Sequence, residues 1–376
     1  MLNLSLRPFE VEDAPAVNGL CRNVWWPQRS LEGWRWLVAG PPGAREGEDA
    51  GPPGWVCERD GQVLGFLGNF VQRFQRGEMV VRGATGHTFV VDPAARGAGR
   101  LLLRALAEQQ DRFAIYLFNA NAVSAGHYRH YGLHPWPTPY DRVKYVWRLD
   151  LPAVIGERLN WKLAGLKEFQ GVREAGERFL DPRLLTGAVT APAPGVRLLS
   201  RAEVDGRFDG LWRRLMASGR FMAARDSASL GWRMDDPDLT RAPILLGYEA
   251  QGRLTGYLLA YFAKQTEIEH TSLDIIDLVA EAGHEMDAVP ALVNTLTANA
   301  RALGAVRVRL QTVAPRLDGL LKDLPGARRV ITHGHCHARF AEGLDSAIPT
   351  AWEATPYDGD YSFCLRPPPL DALKVA

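Results

Sequence analysis

The chain has 376 residues, a formal net charge of +1 and a hydrophobic fraction of 46%. That length suits about two domains, and the even charge balance excludes the bulk positive charge of a nucleic-acid-binding protein. No apolar run reaches the ~20 residues of a membrane span, and the opening Met1-Leu-Asn-Leu-Ser-Leu-Arg-Pro lacks the basic and apolar segments of a signal peptide. Four scattered cysteines, Cys21, Cys57, Cys336 and Cys364, read as reduced thiols of a cytoplasmic protein rather than a disulfide framework.

In chain order, the apolar spacing predicts a strand over 3–7 and helices over 11–24 and 31–38. A Pro/Gly-rich loop over 40–54 reads as a solvated insertion. Strands follow over 55–59, 62–74 and 80–91, with a tight turn at Gly61 joining the first two. His87 lies on the third of these strands and is the best candidate for a general base, with Glu78 a weaker one.

The run Phe89-Val-Val-Asp-Pro-Ala-Ala-Arg-Gly-Ala-Gly-Arg-Leu-Leu-Leu103 carries the most information. An apolar strand ends at Val91, Pro93 stops it, and an apolar-periodic helix starts after Gly99. Gly97 and Gly99 let the backbone approach a ligand, free amides at a helix start face anions, and Arg96 and Arg100 add positive charge. This is the composition of a pyrophosphate cradle. A helix over 100–112 and a strand over 113–118 lead to Asn121-Ala-Val-Ser-Ala-Gly-His-Tyr128-Arg-His-Tyr-Gly132-Leu133, with a helix over 124–131. A strand near 142–149 closes the first half.

The first run resembles motif A of the GNAT acyltransferases, the Gcn5-related N-acetyltransferase superfamily. Val91, Pro93, Arg96, Gly97 and Gly99 fit that pattern. Leu101 departs from it, where the family has a small residue, and a bulky side chain there would narrow the cradle or move the helix start. The second run resembles motif B, in which Asn121, Tyr128 and Gly132 fit, while Ser124 and Leu133 replace an alanine and a phenylalanine. The resemblance implies an acyl-CoA co-substrate, acetyl-CoA or a longer acyl-CoA. It implies that Phe89, Val90, Val91, Arg96, Gly97, Ala98, Gly99, Arg100 and Asn121 hold that co-substrate. It also implies that Tyr128 protonates the departing thiolate, a sensible task for a phenol shielded from water.

Residues 151–185 read as mostly helical and charged, with Trp161, Leu163, Leu166 and Phe169 on one broad face, and Ala188–Gly195 as a stiff proline-rich linker. The second half then repeats the plan of the first. Glu58–Phe66 has a counterpart in Glu249–Tyr257, Leu31–Arg35 in Leu230–Arg233, and Leu6–Asp13 in Leu198–Asp205. Three similarities in one order argue for duplication. A strand over 272–279, a helix over 290–303 and a strand over 306–311 continue the plan. The cradle is missing, because Ala280–Pro290 has one glycine and three acids that would repel a pyrophosphate. The expected class is therefore α+β (mixed α/β), with two tandem GNAT-like domains, each a mostly antiparallel mixed sheet flanked by helices. The expected boundaries are 1–150 for the acyl-CoA-binding domain, 151–195 for the connector and linker, and 196–376 for the degenerate copy.

Two further features invite chemistry. In His333-Gly-His335-Cys336-His337, strand alternation would put three histidines on one face and Cys336 on the other. No paired cysteine motif supports a zinc there, and the reading takes no metal. The aromatic segment Trp352–Phe363 reads as a closing strand, with Asp358 and Asp360 either binding an amine or serving as turn residues around Gly359. The expected function is transfer of an acyl group, acetyl above all, from acyl-CoA to a primary amine by direct attack. The acceptor is a small molecule, with no nucleic-acid or membrane partner, and the protein is a monomer or homodimer. Fem-type or acyl-carrier-protein-dependent transfer and a non-catalytic acyl-CoA sensor are the alternatives.

Overall fold

The computed structural model describes residues 4–44, 51–166, 171–178, 189–190 and 192–369. Residues 45–50 of the 40–54 loop, and residues 167–170, 179–188 and 191 of the 151–195 connector, Phe169 among them, lie outside the described residues. In chain order the first elements are β1 (Ser5–Pro8), α1 (Ala14–Asn23), α2 (Leu31–Ala39), β2 (Gly54–Arg59), β3 (Gln62–Arg76) and β4 (Met79–Val91). Next come α3 (Ala98–Ala107), β5 (Ala114–Leu117), α4 (Ser124–His130), β6 (His134–Pro135), β7 (Val143–Arg148), α5 (Leu151–Ala164) and α6 (Gly171–Arg178). The later part holds β8 (Val196–Leu199), α7 (Gly206–Ala217), β9 (Met222–Ala223), α8 (Ser227–Met234), β10 (Ile244–Ala250), β11 (Arg253–Ala263) and β12 (Ser272–Ala280). The last are α9 (Glu285–Asn299), β13 (Arg307–Leu310), α10 (Pro315–Leu321), β14 (Arg328–Ile331), β15 (His337–Phe340) and α11 (Ala347–Ala351).

The elements form two compact units. The first comprises residues 1–142, 216–238 and 332–364, and the second comprises 143–215, 239–331 and 365–376. The units are discontinuous, so the contiguous boundaries expected at 150 and 195 do not coincide with them. The strand expected to close the first half is β7, and it pairs with β13 and β14 in the second unit's sheet. Val143, Tyr145 and Trp147 are its buried alternate residues. The first unit's sheet takes β15 instead, antiparallel to β5.

In the first unit the strand order is β1-β2-β3-β4-β5-β15-β6, with β9 on the far end of β3. The pair β4–β5 is parallel and the other neighbours are antiparallel. One face packs α3 through Leu102, Leu103 and Leu106 against Leu67, Ala84 and Ile115. The other face packs α1 and α2 through Val17, Leu20 and Trp34 against Phe66, Phe70 and Val90. Apolar positions at i, i+3 and i+4 on α3 are what a one-sided helix on a sheet requires.

The second unit's sheet runs β14-β7-β13-β12-β11-β10-β8, with β12 and β13 parallel. The two units share one local detail. The β2–β3 turn places Asp60 and Gly61 at φ 51° and 78°, and the β10–β11 turn places Gln251 and Gly252 at 53° and 74°. Both are two-residue hairpins with left-handed central residues, which match the natural twist of the strands. A bulge follows in each pair, between Cys57 and Glu58 and between Tyr248 and Glu249.

The aromatic tail of the first unit is not a strand. It folds as two 3-10 turns, Pro356–Asp358 and Tyr361–Cys364, around the buried Asp358. The Asp358 carboxylate accepts from Trp352 Nε1 at 3.0 Å and from the Thr355 amide at 3.2 Å, and it pairs with Arg225 at 2.9 Å. The segment is held by such side-chain bonds and by a single bridge of Trp352 to Phe221 rather than by a strand ladder. The histidine run also departs from strand alternation, because β15 begins only at His337. The amides of His335 and Cys336 both donate to the Asp141 carbonyl.

A candidate acyl-CoA site

The site lies where β4 and β5 part. Their parallel pairing covers Ala84↔Ile115 and Thr85↔Tyr116 only. Beyond it, Thr88 takes a left-handed φ of 51°, and the register with β3 slips between Phe66 and Gly68. This is a bulge, and a bulge bends a strand and re-aims its side chains. The inserted residue puts His87 and Val90 on the α1/α2 face, while Phe89 and Val91 face α3.

Past the bulge, β4 leads into the glycine loop. The Asp92 carboxylate accepts from the Ala94 amide at 2.8 Å, and the Ala95 amide returns to the Asp92 carbonyl at 2.9 Å. Gly97 sits at φ 94° as the N-cap of α3, a conformation that favours glycine. A side-chain carbon at Gly99 would come within 3.3 Å of the Phe89 ring. Among the described residues the amides of Arg96, Gly97 and Gly99 have no backbone acceptor. Unfilled amides at a helix start, with a positive end-dipole behind them, suit an anion.

A cavity of about 770 Å³ opens at this loop. Of the residues expected to hold the co-substrate, Phe89, Val91, Gly97, Gly99, Arg100 and Asn121 line it. Val90 and Ala98 do not, because both side chains are packed in the two cores. Arg96 is exposed at the loop but is not part of the wall. Leu101 packs against the α3 core cluster rather than lining the cavity, so the departure from motif A leaves the cavity open. The helix begins at Ala98, two residues before the expected start.

The opposite wall comes from the start of α4. Asn121 Oδ1 accepts from the amides of Val123 (3.0 Å) and Ser124 (2.8 Å), and the Asn121 amide donates to Ser124 Oγ at 3.1 Å. This reciprocal cap fixes the first turn of α4 and turns Ser124 to the cavity. Tyr128, one turn on, is buried and hydrogen-bonded to Ser124. It stands behind Ser124 rather than in the wall itself. Burial pushes its phenol well above the usual value and the nearby Asp360 adds to this, against a smaller opposing effect of Ser124. The phenol therefore keeps its proton at neutral pH. His127 and His130, which sequence reasoning did not place at the site, line the cavity from the exposed side of α4.

Behind the parting strands lies a buried polar group contributed by the tail. Asp360 Oδ1 accepts from the Phe118 amide at 3.0 Å, one of the groups left unpaired where β5 leaves β4. Burial raises the Asp360 carboxyl to about 6, against opposing bonds from backbone amides. Cys364 Sγ lies 3.8 Å from Asp360 Oδ2, and its thiol is raised by burial and by that carboxylate. It also interacts with the backbone of Thr88 and the side chain of Asn119. Nothing local in the sequence foretells that residues 360 and 364 meet Thr88 and Phe118.

His87 is buried on the other sheet face. Its Nδ1 lies 3.1 Å from Thr88 Oγ1, and its ring stands against Phe66 and Phe363 and over Gly68. It does not line the cavity. His337 is held down to about 4, by burial first and then by repulsion from Arg129, His134 and His333. Among the described residues no group of three His, Cys, Asp or Glu could hold a metal ion, and no helix is long and apolar enough to cross a membrane.

The fold is similar to that of solved structures. A protein of Enterococcus faecalis V583 described as a probable N-acyltransferase matches at TM-score 0.54 and 12% identity, over 90% of this chain and 73% of that one. That likeness is one of fold, mixed sheets flanked by helices. A GCN5-related N-acetyltransferase from Kribbella flavida matches at TM-score 0.49 and 16% identity, over 90% and 72% of the two chains. Eis1 from Mycobacterium abscessus matches at 0.48 and 15%, over 90% and 74%. No family model matches the sequence, and no curated protein matches it either.

Among the described residues the second unit has no comparable glycine loop at the head of α9. Glu285 Oε2 accepts from the Gly283 amide at 2.9 Å, so a carboxylate of the chain already holds a loop amide at the head of α9. Glu281 is paired to Arg214 at 2.9 Å and Arg253 at 2.7 Å. Burial alone would raise the Glu281 carboxyl, but the bonds to Arg214 and Arg253 outweigh it and hold the carboxyl down. Glu285 is also ion-paired to Arg316, so both acids are engaged by groups of the chain itself.

Proposed function

We propose that the protein is an N-acyltransferase whose first unit binds acyl-CoA and passes the acyl group to a primary amine. The observation that carries this reading is the 770 Å³ cavity, which joins the unfilled loop amides to the Ser124–Tyr128 pair. The pyrophosphate lies on the amides of Arg96, Gly97 and Gly99, with Arg100 beside it. The pantetheine arm follows the edge of β4 at Phe89–Val91, where that strand has left β5. The amine nitrogen bonds to the thioester carbon, the carbon–sulfur bond breaks, and Tyr128 gives its proton to the thiolate, directly or through Ser124. His87 and Asp360 are the two candidates for the amine's proton, one on each flank of the bulge at Thr88.

The cytoplasm is the proposed setting and acetyl the first acyl group to try. Calorimetry with acetyl-CoA, longer acyl-CoAs and free CoA tests the donor site. A panel of sugar amines, amino acids and polyamines with wild type and Tyr128→Phe then tests turnover. Saturable CoA binding with amine-dependent thiol release, lost in Tyr128→Phe, supports an enzyme. Binding without turnover across the panel would replace it with an acyl-CoA sensor. Absence of binding would overturn the donor site.

A further inference from the structure

The second unit carries a cavity of its own, about 380 Å³, between α5 and the sheet face of β7 and β13. Its floor is unusual in charge. Arg307 on β13 lies directly opposite Arg148 on β7, and Arg309 is opposite Val146, so three arginines share one face of two adjacent strands. Like charges placed opposite one another in a sheet are destabilising. On the far side of β7, Arg328 of β14 is also paired opposite Val146.

Two of these arginines are answered by carboxylates. Arg307 pairs with Glu157 of α5 and, at 3.0 Å, with Glu269. Arg309 pairs with Glu269 at 2.9 Å and Asp274 at 2.7 Å, and it donates to Ser272 Oγ at 2.6 Å. The forks of both are fixed in place. Arg148 and the exposed Arg158 of α5 are not answered: among the described residues neither has a carboxylate partner. Burial, and then repulsion from Arg158 and Arg328, lowers the Arg148 guanidinium below its ordinary value. The walls hold four arginines, 148, 158, 307 and 309, against the two glutamates 157 and 269. Counting Asp274 behind the floor still leaves an excess positive charge. Val146, Val154 and Ile268 add an apolar side, and the half-exposed ring of Trp161 stands at the rim.

We propose that this cavity binds a small anion, a molecule bearing a phosphoryl or carboxylate group next to an apolar or flat body. Arg148 and Arg158 grip the anionic group, Arg307 and Arg309 supply a rigid positive floor, and Trp161 with the apolar side holds the body. The site is separate from the glycine loop and does not depend on acyl transfer.

The test must silence that loop, which would itself attract a pyrophosphate. Full-length Gly97→Asp protein is titrated by calorimetry with pyrophosphate and with citrate at low ionic strength. The same titrations follow with Arg148→Gln and Arg158→Gln added. Among the described residues neither arginine is part of an ion pair, so both changes spare the paired floor, and circular dichroism with melting curves checks the fold. Saturable binding of at least one probe to Gly97→Asp, weakened roughly tenfold or more by the two glutamines, is the expected result. Preference for pyrophosphate or citrate assigns the anionic group as phosphoryl or carboxylate. No saturable binding of either probe, or equal affinity with and without the two arginines, overturns the proposal. Failure of wild type to bind acyl-CoA would sink the donor site without touching this one.

Discussion

Replacing Gly97 by aspartate and, in parallel, by asparagine separates charge from shape at the proposed cradle. The position has φ 94°, and Asn and Asp enter the left-handed region at a cost of about 1 kcal/mol. A side-chain carbon there meets nothing nearer than Leu4 Cδ1 at 4.0 Å, so both variants have room to fold. The difference between them is one negative charge. At a separation of ~5 Å and an effective dielectric of ~20, repulsion from a single phosphate charge is about 3 kcal/mol, or roughly a hundredfold in affinity. Calorimetric titration of CoA should therefore show Gly97→Asn binding within about tenfold of wild type, and Gly97→Asp at least ~100-fold weaker than Gly97→Asn. The gap should narrow as salt is raised. Equal affinity of the two folded variants, at low salt, would show that the anion does not lie on this loop.

Three more predictions concern the first unit. Tyr128→Phe should keep CoA affinity and lower kcat by about 10²- to 10⁴-fold, the range of a lost general acid; unchanged kcat in steady-state assays removes Tyr128 from the reaction. Asp360 is raised from its usual 3.8 to about 6 in the folded protein. Between those values the folded state holds the extra proton, so this group makes stability fall as pH rises from about 4 to 6, by at most ~3 kcal/mol. Asp360→Asn should flatten that slope in melting curves recorded at pH 4.5 and 8, and a slope that survives the substitution refutes the assignment. Arg225→Met leaves the fully buried Asp358 without its ion-pair partner and should cost about 3–5 kcal/mol. Adding Asp358→Asn should recover part of the loss, and a single variant as stable as wild type in urea would contradict the pairing.

Motifs with a local physical cause could be read from the sequence. The strand end at Pro93, the glycines, and the α3 face need only neighbours within a few residues, and Phe89, Val91, Gly97, Gly99, Arg100 and Asn121 do line one cavity. The paired hairpins were legible for the same reason, since Gly61 and Gly252 each mark a turn. The α9 start was misplaced because proline favours a first helical turn; Pro290 instead lies inside a helix that begins at Glu285. Strand membership was not legible. β7 and β15 carry ordinary apolar alternation, and nothing in that pattern names the sheet that will accept them. Asp360 reads as a turn residue until the parting of β4 and β5 leaves the Phe118 amide to be filled. His87 needed the bulge at Thr88, a one-residue insertion that moves it to the opposite face.

The exchange of β7 and β15 bears on how the chain is made. The proposed donor site is encoded between residues 87 and 128, yet its sheet gains β15 only at residues 337–340 and its buried Asp360 later still. A nascent chain emerging from the ribosome would hold the glycine loop long before the strand beside β5 exists. The first unit must therefore wait, with one edge of β5 open, while all of the second unit's strands are synthesised. Contacts that span more than 200 residues fold slowly, and an open strand edge invites pairing with another copy. A chain cut after Ile331 would keep every residue of the proposed cradle but lose the strand that covers β5, which makes low solubility, rather than weak CoA binding, its first expected defect.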